Sequence, residues 1–403
     1  MDSAQILMQQ LPPVLRSLRI AIVTETYPPE VNGVAMTIGR MVAGLQHREH
    51  QVQLVRPRQH RDDNPAIQPN LEEVLKPGVP IPRYDALKMG LPAKQALVRL
   101  WALKRPDIVH IVTEGPLGWS ALAAAHKLKL PVSTDFHTNF HTYTKHYGIG
   151  WLNKPIAAYL RKFHNRALCT MVPTEPIRNE LAQLGLKNLR VVSRGVDTAL
   201  FTPRHRSAQL RARWGAGGED MVAIYVGRIA PEKNLPLVLS AFDAMRQANP
   251  RMRLVLVGDG PDRAALQARH PQHIFAGMRI GHDLAAHFAS GDIFLFPSTT
   301  ETYGNVTMEA MASGLAVVAY DYAAAAQHIR HALSGLLARF DDAADFTGLA
   351  VTLAGDREQV KRLGAGACTV AGKLDWSWIV SEFESALLEL ANGHPHEYSG
   401  LPA

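Results

Sequence analysis

The sequence predicts an α/β protein made of two doubly wound halves that face each other across a cleft. Three observations predict it. Short apolar runs alternate with amphipathic helical stretches along the whole chain. The periodicity lapses once, in "GVDTALFTPRHRSAQLRARWGAGGED", where Pro203, Gly215, Gly217 and Gly218 punctuate the chain. The length of 403 residues suits roughly two to three domains of ordinary size.

In the first half the strands read as "LRIAIVT", "QVQLVRP", "DIVHIVT", "PVSTDFH", "CTMVPT" and "LRVVSRGV". Helices fit between them at Met36–Gln46, Leu117–Lys129, Leu152–Ala167 and Glu175–Leu184. An extended, Pro-rich stretch from Arg56 to Pro92 takes no assignment. The second half restarts with "MVAIYVGRI", followed by "RLVLVGDG", "HIFAGM", "DIFLFPS" and "LAVVAY". The expected division is an N-terminal extension (1–18), a first domain (19–200), a second domain (201–376), a final helix (377–392) and a tail (393–403) whose composition predicts disorder.

Composition narrows the class. At 47% hydrophobic and 20% charged residues the chain is an ordinary soluble protein. No apolar run approaches the roughly 18 residues that span a bilayer, and "MDSAQILMQQLPPVLRSLR" lacks a basic leader before an apolar core. With two cysteines, Cys169 and Cys368, a disulfide is not expected, and the location is cytoplasmic. The net charge of +7 comes from short clusters, "RPRQHR", "LRKFHNR" and "PRHRSAQLRAR", without interleaved aromatics or a zinc pattern. That argues against nucleic acid and for an anionic substrate or an anionic membrane surface at the inner face of the cell membrane. There, Leu91, Leu97 and Trp101 of "KMGLPAKQALVRLW" read as apolar lipid contacts or as core packing of a helix near the cleft.

The densest chemistry lies in "FPSTTETYGNVTMEAMASGLAVVAYD". Val306 to Ser313 reads as a helix stopped by Gly314, lodged between two buried strands. Glu301 then falls in the loop and Glu309 one turn inside the helix, both at the carboxyl edge of a parallel sheet, where such folds bind ligands. The backbone N–H groups near Gly304, Asn305 and Val306 face an anion with the helix dipole behind them. Carboxylates around an anion-binding helix start suit a ligand with hydroxyls and phosphate, namely a nucleotide-sugar. An isolated Glu-x7-Glu would be read as a solvated loop residue and a helix-face charge; the flanking residues decide otherwise.

Those residues, Glu301, Gly304, Asn305 and Glu309 through Gly314 in "EAMASG", resemble the retaining nucleotide-sugar glycosyltransferases of family 4, which have the two-domain GT-B fold. The similarity runs from about residue 19 to 390. It implies that Glu301 contacts the donor sugar and Glu309 the nucleotide ribose. Tyr303, which stands where Phe is usual, is expected among the nucleotide-sugar contacts with Gly304, Asn305 and Val306. In "YVGRIAPEKNLP", Arg228 and Lys233 can clamp a diphosphate, the role the resemblance gives them. Gly33 in "TETYPPEVNGV" allows close backbone approach beside a helix start, and the resemblance implies a phosphate or acceptor-side contact there. Gly258 in "VGDGP" begins an incomplete dinucleotide fingerprint, with Arg263 at its third glycine position; the resemblance makes it a turn near the nucleotide, whose base Met278 and Arg279 would flank. Arg194 and Asp197 in "SRGVD" match a block near the hinge.

His137 and His141 in "STDFHTNFHTY", with His146 beyond, could suggest a metal. The loop-like context argues against it, and no metal or other cofactor is expected. The resemblance assigns His137 to the donor sugar. Asp135 either orients His137 or lies on the opposite strand face. The similarity extends to bacterial mannosyl- and glycolipid-forming transferases, which implies a GDP- or UDP-hexose donor, mannose before glucose, and a lipid or lipid-linked glycan acceptor. The rival readings are a nucleotide-sugar epimerase of the same fold and a catalytically silent nucleotide-sugar-binding protein.

Overall fold

The computed structural model describes residues 16–393, apart from 31, 61, 82–83, 138–152 and 302. The tail beyond Gly393, most of the N-terminal extension, His141 and His146 therefore lie outside the described residues.

The first sheet holds β1 (Arg19–Val23), β2 (Gln51–Pro57), β3 (Ile67–Gln68), β4 (Leu71–Lys76), β7 (Ile108–Ile111), β8 (Val132–Asp135), β9 (Cys169–Val172) and β10 (Leu189–Val191). Between β4 and β7 an antiparallel hairpin, β5 (Gly78–Ile81) and β6 (Tyr84–Gly90), stands apart. The order is β10-β9-β8-β7-β1-β2-β4-β3, parallel except for the β3–β4 pair. The second sheet holds β11 (Val222–Val226), β12 (Arg253–Val257), β13 (Ile274–Gly277), β14 (Ile293–Phe296), β15 (Ala316–Tyr320) and β16 (Leu336–Ala338), all parallel, in the order β13-β12-β11-β14-β15-β16. Strands covered by helices on both faces must be apolar throughout. Ile20 to Val23 and Ile293 to Leu295 are accordingly fully buried. The strand order reverses between β1 and β7 in one sheet and between β11 and β14 in the other. Those reversals open the crevices in which α/β sheets take ligands.

Several expectations change. The unassigned stretch contains β4, "LEEVLK", whose charges conceal a sheet strand. Glu73 is 9% exposed and accepts from Arg56 Nη2 at 2.9 Å, while Asp63 takes both guanidinium nitrogens at 2.7 and 3.0 Å. Arg56 thus belongs to a buried ion cluster and not to a basic surface. Leu97 and Trp101 are fully buried against β1 and β7, with the indole N–H donating to Gln53 at 2.9 Å. Of the three proposed lipid contacts only Leu91, 39% exposed, reaches the surface. The segment expected to be irregular after 201 carries a short helix, Ala208–Arg213. Both thiols are free, and among the described residues no helix is long and apolar enough to cross a membrane.

The last helix, Trp376–Asn392, returns to the first sheet. Ile379, Val380, Phe383 and Leu387 share a core with Ile20, Ile22, Ile38 and Met41. The helix lies so close to Gly33–His47 that a Cβ on Gly44 would meet Val380 Cγ2 at 2.5 Å. Glu384, 6% exposed, seals the contact by accepting from Arg48 at 2.7 Å and pairing with His50 at 2.7 Å. Truncating Phe383 to Ala is expected to cost about 3–5 kcal/mol. Amide exchange should then accelerate in β1 and β7 and stay unchanged in β14 and β15; equal acceleration in both sheets would contradict this division of the core.

Candidate nucleotide-sugar site

The second-domain half of the site is built by backbone geometry. After β14 the chain turns through Ser298 and Glu301 to Gly304, whose φ of +93° lies in the left-handed region. The helix Asn305–Ala312 starts there without a side-chain cap. The Thr307 N–H turns back to Gly304 O at 2.9 Å, which leaves the N–H groups of Asn305 and Val306 for an acceptor outside the helix. Gly314, at φ +80°, stops it. Glu301 Oε1 accepts from Ser298 Oγ at 2.7 Å and binds the Lys233 ammonium. Lys233 comes from the turn Pro231–Lys233 after β11, and also lies 6.0 Å from the centre of the Phe296 ring. Arg228, one-third exposed on the same turn, meets Glu232 at 3.2 Å. The two cations and Glu301 thus gather where the second sheet reverses.

Glu309 sits one turn into the helix. Burial raises its carboxyl to about 7, the behaviour of an acid whose charged form has lost water without gaining a cation.

From the first domain come Gly33, His137 and one residue that sequence patterns did not single out for the site. Asn32 caps the helix Gly33–His47 and takes the N–H groups of Val34 and Ala35 at 3.1 and 2.8 Å. Those donors are already satisfied by the cap, and what remains for a ligand is the close approach at Gly33 itself. A Cβ on Gly33 would lie 3.6 Å from Asn305 Nδ2 and 3.8 Å from Arg194 Nη1, so the two domains meet here. Asp135 does orient His137: the His137 Nε2 lies 3.0 Å from Asp135 Oδ2, with His110 Nε2 at 3.2 Å from the same oxygen. For Asp135, burial pushes upward, but the two imidazoles outweigh it and hold the carboxyl below the usual range. Burial lowers His137 against the pull of Asp135. His137 Nδ1 accepts from Arg194 Nη2 at 2.8 Å, which makes the ring a neutral imidazole with its proton on Nε2.

Arg194 follows β10 and is 6% exposed. Its Nη1 donates to Asn305 Oδ1 at 3.4 Å, and its guanidinium lies 5.6 Å from the centre of the Tyr303 ring. Tyr303 is 1% exposed, and its hydroxyl donates to the Arg194 carbonyl at 2.8 Å, beside His328 and Ser193. Its ring therefore faces the hinge and offers a ligand no side-chain surface; the hydroxyl, which a Phe would lack, ties the domains together. The only sequence signal for Arg194 was a lone cation beside Gly195 in a block near the hinge.

The other positions lie further out. Gly258, at φ +136°, is dictated by backbone crossing: a Cβ there would sit 1.9 Å from Gly227 O. Met278 is 56% exposed, and Arg279 folds onto Ala276 O at 2.9 Å and Asp283 at 3.1 Å. Both lie at the β13 edge, away from the Glu301 cluster. Val306 packs on the second-domain core. Among the described residues no group of three His, Cys, Asp or Glu is arranged to hold a metal ion. A carboxyl not singled out from sequence, Glu25, follows β1; burial raises it to about 7, with Glu114 adding to the effect, although Leu117 N–H donates to it at 3.1 Å.

The raised Glu309 pKa has a definite sign for stability. The folded chain binds that proton more tightly than the unfolded chain, so its contribution is fully present below about pH 4.5 and lost as pH rises through about 7. Glu309→Gln should therefore raise the thermal midpoint at pH 8, by an effect on the order of 1–3 kcal/mol, and much less at pH 5. An equal change at both pH values would show that the carboxyl is not held this way.

Comparison with known proteins shows the family and the fold. The family described as Glycosyltransferase Family 4 matches residues 31–200, and that described as Glycosyl transferases group 1 matches residues 220–356. The chain is 33% identical, over 80% of its length and 85% of the relative's, to a GDP-mannose-dependent alpha-mannosyltransferase of Mycolicibacterium smegmatis. It is 28% identical, over 75% and 71%, to an alpha-monoglucosyldiacylglycerol synthase of Streptococcus pneumoniae. Among solved structures, a sucrose-phosphate synthase of Thermosynechococcus elongatus superposes with a TM-score of 0.76 at 17% identity, covering 94% of this chain and all of that one, a likeness that shows the shared GT-B fold. Its sequence relatives show that this chain belongs to glycosyltransferase family 4 and is a glycosyltransferase.

Proposed function

We propose that this glycosyltransferase moves a hexosyl group, mannose from GDP-mannose in the first instance, to a hydroxyl of a lipid or lipid-linked glycan with retention at the anomeric carbon. The observation that carries the reading is the Lys233–Glu301 ion pair beside the uncapped helix start at Gly304. It joins a cation suited to phosphate and a carboxylate suited to sugar hydroxyls at one crevice. Glu301 would grip the sugar and Glu309 the ribose, while Arg228 and Lys233 hold the diphosphate. The acceptor O–C1 bond forms on the face from which the C1–O–phosphate bond breaks, and the acceptor proton passes to the leaving phosphate oxygen. Cations around that oxygen stabilise the charge it gathers. Mannose and a lipid acceptor are supported by the names of the two relatives and by the net charge of +7. No metal is assigned a role.

Nucleotide binding is tested first by the thermal midpoint with GDP, UDP or ADP. A ligand at about a hundredfold over its Kd adds about 2.7 kcal/mol, and GDP is expected to give the largest rise. No rise with any of the three would overturn the reading. With donor and lipid acceptor, Lys233→Ala should lower kcat by about 10²–10³. Formation of an epimerised donor without an acceptor would establish the epimerase instead. Peripheral binding to an anionic surface is expected as flotation with phosphatidylglycerol vesicles that weakens from 50 to about 300 mM salt; flotation indifferent to salt would contradict it.

A further inference from the structure

Arg194 is a cation in an unusual position. It is 6% exposed, yet among the described residues no carboxylate lies within ion-pair distance. Its partners are neutral: the Nδ1 of His137, the Oδ1 of Asn305 and the face of Tyr303. Asp135 touches it only through the His137 ring, and Glu301 acts on it from beyond ion-pair distance. The guanidinium also sits between the positive ends of two helices, beside Gly33 on one side and Asn305 on the other. Both dipoles oppose a cation there and favour an anion. A buried guanidinium without a counter-charge is costly unless an anion completes it, and its fork of donors matches phosphate oxygens.

We propose that Arg194 is a donor-binding residue, a third cation for the diphosphate beside Arg228 and Lys233, which rests on His137 until the diphosphate draws it away. This rests on the nucleotide-sugar reading above and adds a coupling to it. As Arg194 turns to the phosphate, His137 Nδ1 loses its donor and becomes an acceptor for a sugar hydroxyl, with Asp135 still fixing the Nε2 proton. The same diphosphate bridges the domains, because Arg194 follows the last strand of the first sheet whereas Arg228 and Lys233 belong to the second. The leaving group would itself draw the cleft shut.

The test compares wild type, Arg194→Lys and Arg194→Met by calorimetric titration, using whichever of GDP, UDP and ADP stabilises the wild type most and the matching monophosphate. Arg194→Met should weaken the diphosphate about tenfold or more and the monophosphate far less. Its ligand-free thermal midpoint should hold or rise, since the uncompensated charge has gone. Arg194→Lys, which keeps a charge without the fork, should fall between, and it carries the test if the Met variant does not fold. Undiminished diphosphate affinity overturns the proposal. So does an equal loss for mono- and diphosphate with a lowered midpoint, which would make Arg194 a hinge bolt. If the wild type binds none of the three diphosphates, the functional reading itself falls; if it binds one and the variants match it, only the role of Arg194 does.

Discussion

The site depends on one electrostatic constraint: the positive ends of two helices, starting at Gly33 and Asn305, are brought together across the cleft. Apposed dipoles of one sign favour an anion between them. The glycines follow from that requirement, since the backbone must approach closely at Gly33 and turn through a left-handed conformation at Gly304. So does the placing of Lys233 and Arg194 around one carboxylate, since Glu301 pairs with the first and acts at longer range on the second. The sheets serve the same end, because each reverses its strand order where its loops meet the cleft.

Charge in the crevice is held in check by local partners. Lys233 has Glu301, Arg228 has Glu232, and Arg194 donates to the neutral Nδ1 of His137. Two carboxylates of the crevice bear on more than one group. Glu301 also accepts from Ser298, and Asp135 holds both His110 and His137. On the proposed function a diphosphate would rearrange a set of pairs instead of filling a rigid socket, and the freed carboxylate and imidazole would become available to sugar hydroxyls. Such exchange keeps the net desolvation change small, because most of these groups are already out of water.

What the sequence made legible was local in the chain. Glu301, Gly304 and Glu309 lie within a single turn and helix, so the strand–turn–helix pattern grouped them and the flanking "EAMASG" suggested their roles, and the second-domain strands are near-continuous apolar runs. What it hid depends on distant partners. β4 looks too charged for a buried sheet because Glu73 is neutralised by Arg56, 17 residues away. Leu97 and Trp101 read equally well as lipid contacts until β1 and β7 cover them. Tyr303 looked like a ligand contact by its neighbours, but its hydroxyl reaches a carbonyl 109 residues earlier. Arg194 carried only a match to a block near the hinge; its partners, His137 and Asn305, are contributed by different domains.

The return of Trp376–Asn392 to the first sheet carries a consequence for biogenesis. Phe383 and its neighbours belong to the core laid down around β1, at the opposite end of the chain. On the ribosome the second core can close once the helices Ala343–Ala354 and Arg357–Ala371 have followed β16, whereas the first must wait with an apolar groove uncovered until the final helix is synthesised. The usual order, in which the amino-terminal unit matures first, is thereby reversed here. A premature stop that spares every residue of the crevice would still leave that groove exposed, a ready target for chaperones and proteases.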